Sequence, residues 1–457
     1  MSRWHVPAVI GLVAGALVTV PVPAAHGASA QVRCSVPALV AAINAANASP
    51  GPDTLRLAHR CTYALTAPDP ENPGNGLPVI TSEIAIEGHG ATIRRDGHDG
   101  KVPKFRILFV DETGNLTLDR TTISGGFATD CPAFPGFPGL ACGGGISNAG
   151  TMKVTRSRFT GNTSRADVFA QGGGIDNPGT GSVSETEVSG NHVVYSGSEA
   201  GGGAAGAGIA NDGPLRVTRS RLTGNTATVT KAKESFAFGA GIISFAETTI
   251  KDTTVSGNRA YAPNGFARGA VSNGIPAPGR MTVTGGAITH NTSDAPYGFA
   301  QGGAIANNAL MTVRKVEISG NRVVAQDGNA RGGGVRVGPF GTLELTDSRI
   351  ADNTVTAPNG TAQGAGLDNP EGGALTARRN KVLRNTATAK GGTAQGGGLY
   401  TGQGATTLER NTVAHNRAGD GGGIFKASGT LTLNGDVVRD NRPDNCSPAG
   451  AVPGCTG

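Results

Sequence analysis

Tryptophan is almost missing from this chain, with Trp4 the only one among 457 residues. Aromatic residues together make 4% and apolar residues 37%, too few to fill a wide globular core. The longest apolar run, Val6 to Val20, has 15 residues, short of the roughly 20 that cross a bilayer. Although the net charge is +6, no polybasic run occurs, so nucleic acid is not an expected partner and a solvated mixed surface is. No Cys-x-x-Cys pair occurs, which argues against structural zinc. No cofactor or metal is expected.

Glycine is abundant, at 74 residues, about twice the usual share and without the third-residue period of collagen. It belongs to a repeat. The stretch Gly332 to Asn353, GGGVRVGPFGTLELTDSRIADN, opens on a glycine triplet and closes on an asparagine. Nine other stretches keep that frame and close on Asn162, Asn191, Asn225, Asn258, Asn291, Asn321, Asn385, Asn416 and Asn441. Steps between the ten run from 25 to 34 residues, the period of a stacked repeat architecture.

Two columns are apolar in every unit. Three places before the asparagine stand residues such as Phe159, Val188 and Ile350, and eight places before it Val154, Val183 and Leu345. Inward columns five apart break the period of two, so the chain must bend between two short strands. The glycine-Ile segment supplies a third. Three short strands per turn predict an all-β, right-handed parallel β-helix, with the asparagines stacked at a bend and bonding amide to amide. Six places before the asparagine, Arg156, Glu185, Arg219, Asp347 and Arg379 tend to alternate in sign along the stack, as laddered neighbours would.

Residues 1–30 read as a secretory signal: Arg3, the apolar run, then Ala28-Ser29-Ala30 as a small-residue cleavage site. An exported chain without a membrane span after signal removal follows. Residues 31–76 read as an N-terminal cap, where Val36 to Ala48 has helical spacing after Ser35 as N-cap. Residues 77–442 form the β-helix, about 12 turns, interrupted at 131–142 by the Pro- and Phe-rich CPAFPGFPGLAC; residues 443–457 are a tail. Six cysteines in an exported chain predict disulfides. Pairing of neighbours is expected, Cys34–Cys61, Cys131–Cys142 and Cys446–Cys455, because each pair brackets an irregular segment.

GGGI at Gly143 to Ile146 followed by FTGN at Phe159 to Asn162, and GGAI at Gly302 to Ile305 followed by ISGN at Ile318 to Asn321, resemble the chlamydial polymorphic outer membrane protein repeat. More broadly the chain resembles secreted parallel β-helix repeat proteins of the actinobacterial kind. The first resemblance implies an adhesin-like repeat domain, although an aliphatic residue replaces Phe in nine of ten units.

Pectate lyases and polygalacturonases share the β-helix architecture, but of the polygalacturonase motifs only His89-Gly90 occurs, in the wrong part of the chain. No catalytic residue is assigned. His192, His290 and His415 lie on non-adjacent turns and read as surface histidines. Phe169, Phe236, Phe266 and Phe299 share one place, three residues before the glycines that open a unit. An internal stack at a bend is the expectation for them; an exposed platform with Tyr297, Tyr261 and Tyr195 is the alternative. Phe134 and Phe137, in the cysteine-bracketed loop, are a second candidate binding element. The expectation is a monomeric, non-catalytic protein that binds a polysaccharide or cell-surface component. The alternative is a lyase or glycoside hydrolase acting on an acidic polysaccharide.

Overall fold

The computed structural model describes residues 28–97, 100–134, 136–231, 233–274 and 279–455. They form a parallel β-helix solenoid in which all strand pairing is between successive turns. One coil shows the path. Ile146–Asn148 lies in a 12-stranded sheet, here the isoleucine sheet; Thr151–Thr155 and Arg158–Thr160 lie in a 25-stranded bent sheet. These are the three strands read from the repeat. The extension after the asparagine adds two more, Thr163–Ala166 and Phe169–Gln171, each in its own nine-stranded short sheet. Registers hold the columns together: Val154 pairs with Val183, Phe159 with Val188 and Ile146 with Ile175.

The bend between the two strands of the bent sheet sits six places before the asparagine, on the charged column. Arg156, Glu185, Arg219, Asp347 and Arg379 all have left-handed φ, between 46° and 53°. Their side chains point to solvent and pair along the stack, Arg219 with Glu185 at 2.9 Å and Arg379 with Asp347 at 2.7 Å. Solvent screens exposed pairs of this kind, so they set register more than they add stability.

The interior has two lobes. Ile, Val, Leu and Phe159 fill the main one, between the isoleucine and bent sheets. The second lies between the two short sheets and is filled mainly by alanine, including Ala170, Ala237, Ala267, Ala300, Ala330 and Ala362. Small side chains let the two sheets close on each other, which is how a chain poor in large apolar residues excludes water along its whole length.

At the corner between the lobes the asparagines form an unbroken series. From Asn162 to Asn441, each Nδ2 donates to Oδ1 of the asparagine one turn on, at 2.9–3.0 Å. Each also donates to a backbone carbonyl, as Asn321 does to Ile288 O at 2.9 Å. Two further series went unread in the sequence. Asn148, Asn177 and Asn211 bond in the same way at the end of the isoleucine sheet. Five places before their closing asparagines, Ser157, Thr186 and Ser220 accept from the backbone N–H of the preceding turn, and Asn380, Asn411 and Asp436 continue the column.

The helix Val36–Ala48 closes the N-terminal end, as its spacing predicts, with Leu39 and Ile43 fully buried in the main lobe. Ser35 Oγ accepts from Ala38 N at 3.4 Å, and Asn47 binds Val79 O and Thr81 N. The cysteines pair as neighbours, Cys34–Cys61, Cys131–Cys142 and Cys446–Cys455. The strand Ser29–Val32 pairs with Asp53–Leu57, so the last two residues of the signal-like span lie in a strand; residues 1–27 lie outside the described residues.

Candidate functional site

Where the second short sheet turns into the isoleucine sheet, the solenoid is concave. The turn is made by the first glycine of each unit, as at Gly172 with φ +60° and Gly332 with φ +65°. A Cβ at either would lie 2.6 Å from the Cβ of Asp176 or 2.7 Å from that of Arg336. The residue four places after that glycine points outward yet has little access to water, because it lies in the inner corner. With Ser272, three places after Gly269, these residues are the floor of a groove along the solenoid: Asp176, Ala210, Ile243, Ser272, Ala306, Arg336, Asp368, Tyr400 and Phe425, in register from turn to turn, with Phe169, Phe238 and Phe245 packed over Ala210 and Ile243. From Asp176 to Asp368 is six rungs, about 29 Å at ~4.8 Å per rung.

The phenylalanine column stands on the outer wall of this groove. The expectation of an internal stack is corrected: Ala170, Ala237, Ala267 and Ala300 take the inward positions beside each Phe, and alternation turns the rings outward. Phe299 is 41% exposed, with Phe169, Phe236 and Phe266 half-buried. Phe266 stacks on Phe299 with centroids 5.2 Å apart and planes 11° from parallel, and Phe236 follows at 6.1 Å. Tyr297 is 65% exposed on the same side. Tyr195 does not join them; it is fully buried in the alanine lobe, its hydroxyl donating to Glu199 O at 2.7 Å. Tyr261 lies under the Arg259 guanidinium at 4.6 Å. Two places after Phe236, Phe238 carries the Arg268 guanidinium over its ring at 4.8 Å.

One end of the groove is acidic. Gln171 Nε2 donates to Asp176 Oδ1 at 2.9 Å and to Asp212 Oδ2 at 3.2 Å, so one amide holds two carboxyls. Ser147 Oγ donates to the other Asp176 oxygen at 2.9 Å. Burial, and then the Asp212 charge, push Asp176 up to about 7; burial also raises Asp212. Beside them the Cys131–Cys142 loop brings Phe134 and Phe137 against Leu140 and Phe169. With Gln171 and Asp212 they line a cavity of about 300 Å³. Phe137 is 66% exposed at its mouth. The fully buried Arg106 anchors the loop, donating to Asp130 at 2.8 Å and to Cys142 O at 3.3 Å. Both sulfurs near Asp176 are in the disulfide, so they are not thiolate metal ligands.

The other end is mixed in charge. Arg336 and Asp368 are both buried, with Arg336 Nε 3.7 Å from Asp368 Oδ2 and its Nη2 3.1 Å from Glu371 Oε1. Burial pushes Asp368 up to about 7 against the pull of Arg331 and Arg336. Tyr400 stacks on Phe425 at 5.6 Å.

No family model, curated protein or solved structure matches the chain. Sequence reasoning found Phe134, Phe137, Phe236, Phe266, Phe299 and Tyr297, but not Gln171, Asp176, Asp212, Arg331, Arg336 or Asp368. The signal was the place four residues after the first glycine, where charged residues interrupt a mostly small or apolar column. On the bent sheet, a second hollow of about 770 Å³ is lined by Arg60, Arg120, Arg156, Arg158, Arg219 and Arg221. Several of these arginines are already paired with Asp119, Glu185 or Glu187.

Proposed function

We propose that this is an exported protein that binds a polysaccharide chain lengthwise in the groove, at a cell surface or in the surrounding medium. The observation that carries this is the outward stack of Phe236, Phe266 and Phe299 beside a floor with hydrogen-bonding groups at both ends. Aromatic faces take up the apolar faces of sugar rings, and buried polar groups fix their hydroxyls. Export is supported by the signal-like residues 1–30 and by three disulfides in a chain this size. The repeat's resemblance to an adhesin unit agrees with a binding role. Titration calorimetry against a panel of neutral and acidic polysaccharides tests it. Binding to at least one, weakened in Phe266→Ala, is expected; no binding to any member would overturn it.

A second reading, a lyase or glycoside hydrolase, is favoured by one observation: Asp176 and Asp212 come from neighbouring turns, held by a common amide, with Asp176 displaced towards its protonated form. Two carboxyls held together, one of them pushed up to about 7, suit acid–base work. Incubation with pectin, alginate and glycosaminoglycans, followed at 235 nm and by reducing ends, separates the readings. Product that disappears in Asp212→Asn establishes the enzyme; its absence from every substrate leaves binding alone.

A further inference from the structure

We propose that the Arg331, Arg336 and Asp368 end of the groove receives the carboxylate of an acidic sugar, so that the polymer it takes is a uronic-acid polysaccharide. The site rests on the reading of the groove as a sugar-binding surface and adds the class of sugar.

Nε of Arg331, Nε of Arg336 and both carboxyl oxygens of Asp368 are buried without a hydrogen bond. Single neutral groups are also unmet elsewhere, such as Asn148 Oδ1, Ser164 Oγ and Ser293 Oγ, but here four atoms of charged side chains are unmet at one place. They come from two neighbouring rungs and from both sides of the concave corner: Arg331 on the wall, Arg336 and Asp368 on the floor.

Charge points the same way. Arg268 lies close enough to Arg336 that their repulsion, after burial, draws Arg268 down to about 10. Three guanidiniums thus lie around two acids, Asp368 and Glu371, with Arg268 also held over Phe238 and donating to Gln301 Oε1 at 3.1 Å. The acids cannot balance them even when both are ionised, and a protonated Asp368 widens the excess to two. Desolvated cations without counter-charge are costly, and one incoming carboxylate would offset this. Guanidinium forks match a carboxylate in two-point geometry, and a protonated Asp368 adds a donor. A metal cation would meet three like charges. A neutral sugar would fill hydrogen bonds but leave the charge.

The experiment compares polygalacturonate and alginate with their carboxyl-reduced forms, which keep the backbone and replace each acid by an alcohol. Wild type is expected to bind one of the acidic polymers at least about tenfold more tightly than its reduced form. Arg331→Met should lose that preference while retaining weaker binding. Arg322→Met, an exposed arginine on the first short sheet, should not. Arg331 is only half-buried, so its variant tests the site even if Arg336→Met fails to fold; melting curves check each protein. Equal affinity for acidic and reduced polymers would overturn the acidic-sugar inference and leave the groove reading intact. Full preference in Arg331→Met would also overturn it and place the anion site elsewhere. No binding to acidic, reduced or neutral polymers would instead overturn the groove reading.

Discussion

Asn321→Ala tests what holds the turns in register. The Asn321 side chain donates from Nδ2 to Asn353 Oδ1 at 2.9 Å, to Ile288 O at 2.9 Å and to Ser319 O at 3.2 Å. Its Oδ1 accepts from both N and Nδ2 of Asn291, each at 3.0 Å. Truncation strips the Asn291 amide of its acceptor, the Ile288 carbonyl of its Nδ2 donor and one of the two Asn291 Nδ2 hydrogens of its partner, while the other still bonds Val255 O. At ~1–3 kcal/mol for each unsatisfied group, partly relieved by entering water, the loss should be about 3–6 kcal/mol. The neighbouring Arg322 is exposed, and Arg322→Ala should cost within ~0.5 kcal/mol. Thermal melting and urea denaturation of the two variants make the comparison, with hydrogen exchange to show whether protection falls first at the turns of Asn291 and Asn353. A solenoid need not unfold in one step, so exchange locates what melting only ranks. Equal melting temperatures for the two variants would refute the reasoning, because buried amides could then be lost as cheaply as a surface charge.

Three further outcomes are expected. Phe266→Ala should weaken polysaccharide affinity by about tenfold through loss of one ring in the outward stack, yet change melting little because Ala267, not Phe266, faces the interior; calorimetry and melting curves report both. Asp368→Asn should be more stable than wild type at pH 8 by on the order of 2 kcal/mol and lose this advantage near pH 4. The folded carboxyl, facing Arg331, Arg336 and Glu371, holds its proton to about pH 7, whereas the unfolded one releases it near ~4, so wild type loses stability as pH rises through that window. Cys131→Ser with Cys142→Ser should loosen the loop carrying Phe134 and Phe137 and abolish probe binding in the cavity beside Asp212. The rest of the solenoid should melt unchanged, since only this insertion is freed; a fluorescent hydrophobic probe and a melting curve check it.

By itself the sequence determined the solenoid. Side-chain direction along a strand has a period of two, and stacked turns repeat one position above another, so columns such as Val154–Val183 and Phe159–Val188 expose strand, bend and register in one dimension. The asparagines and the charged column were legible for the same reason, although the left-handed φ of that column was not. Whether an outward side chain meets water is a different matter, settled by how sheets far apart along a turn lean on one another. Asp176, Arg336 and Asp368 occupy outward places in their strands and are nevertheless buried, because Gly172, Gly332 and Gly364 fold the wall over them. The Phe column gave the converse error: its size suggested core, but the adjacent alanines take the inward places and already fill the second lobe. Periodicity decides the side of a strand on which a residue lies; only the tertiary structure decides that this side is concave, and with it the groove.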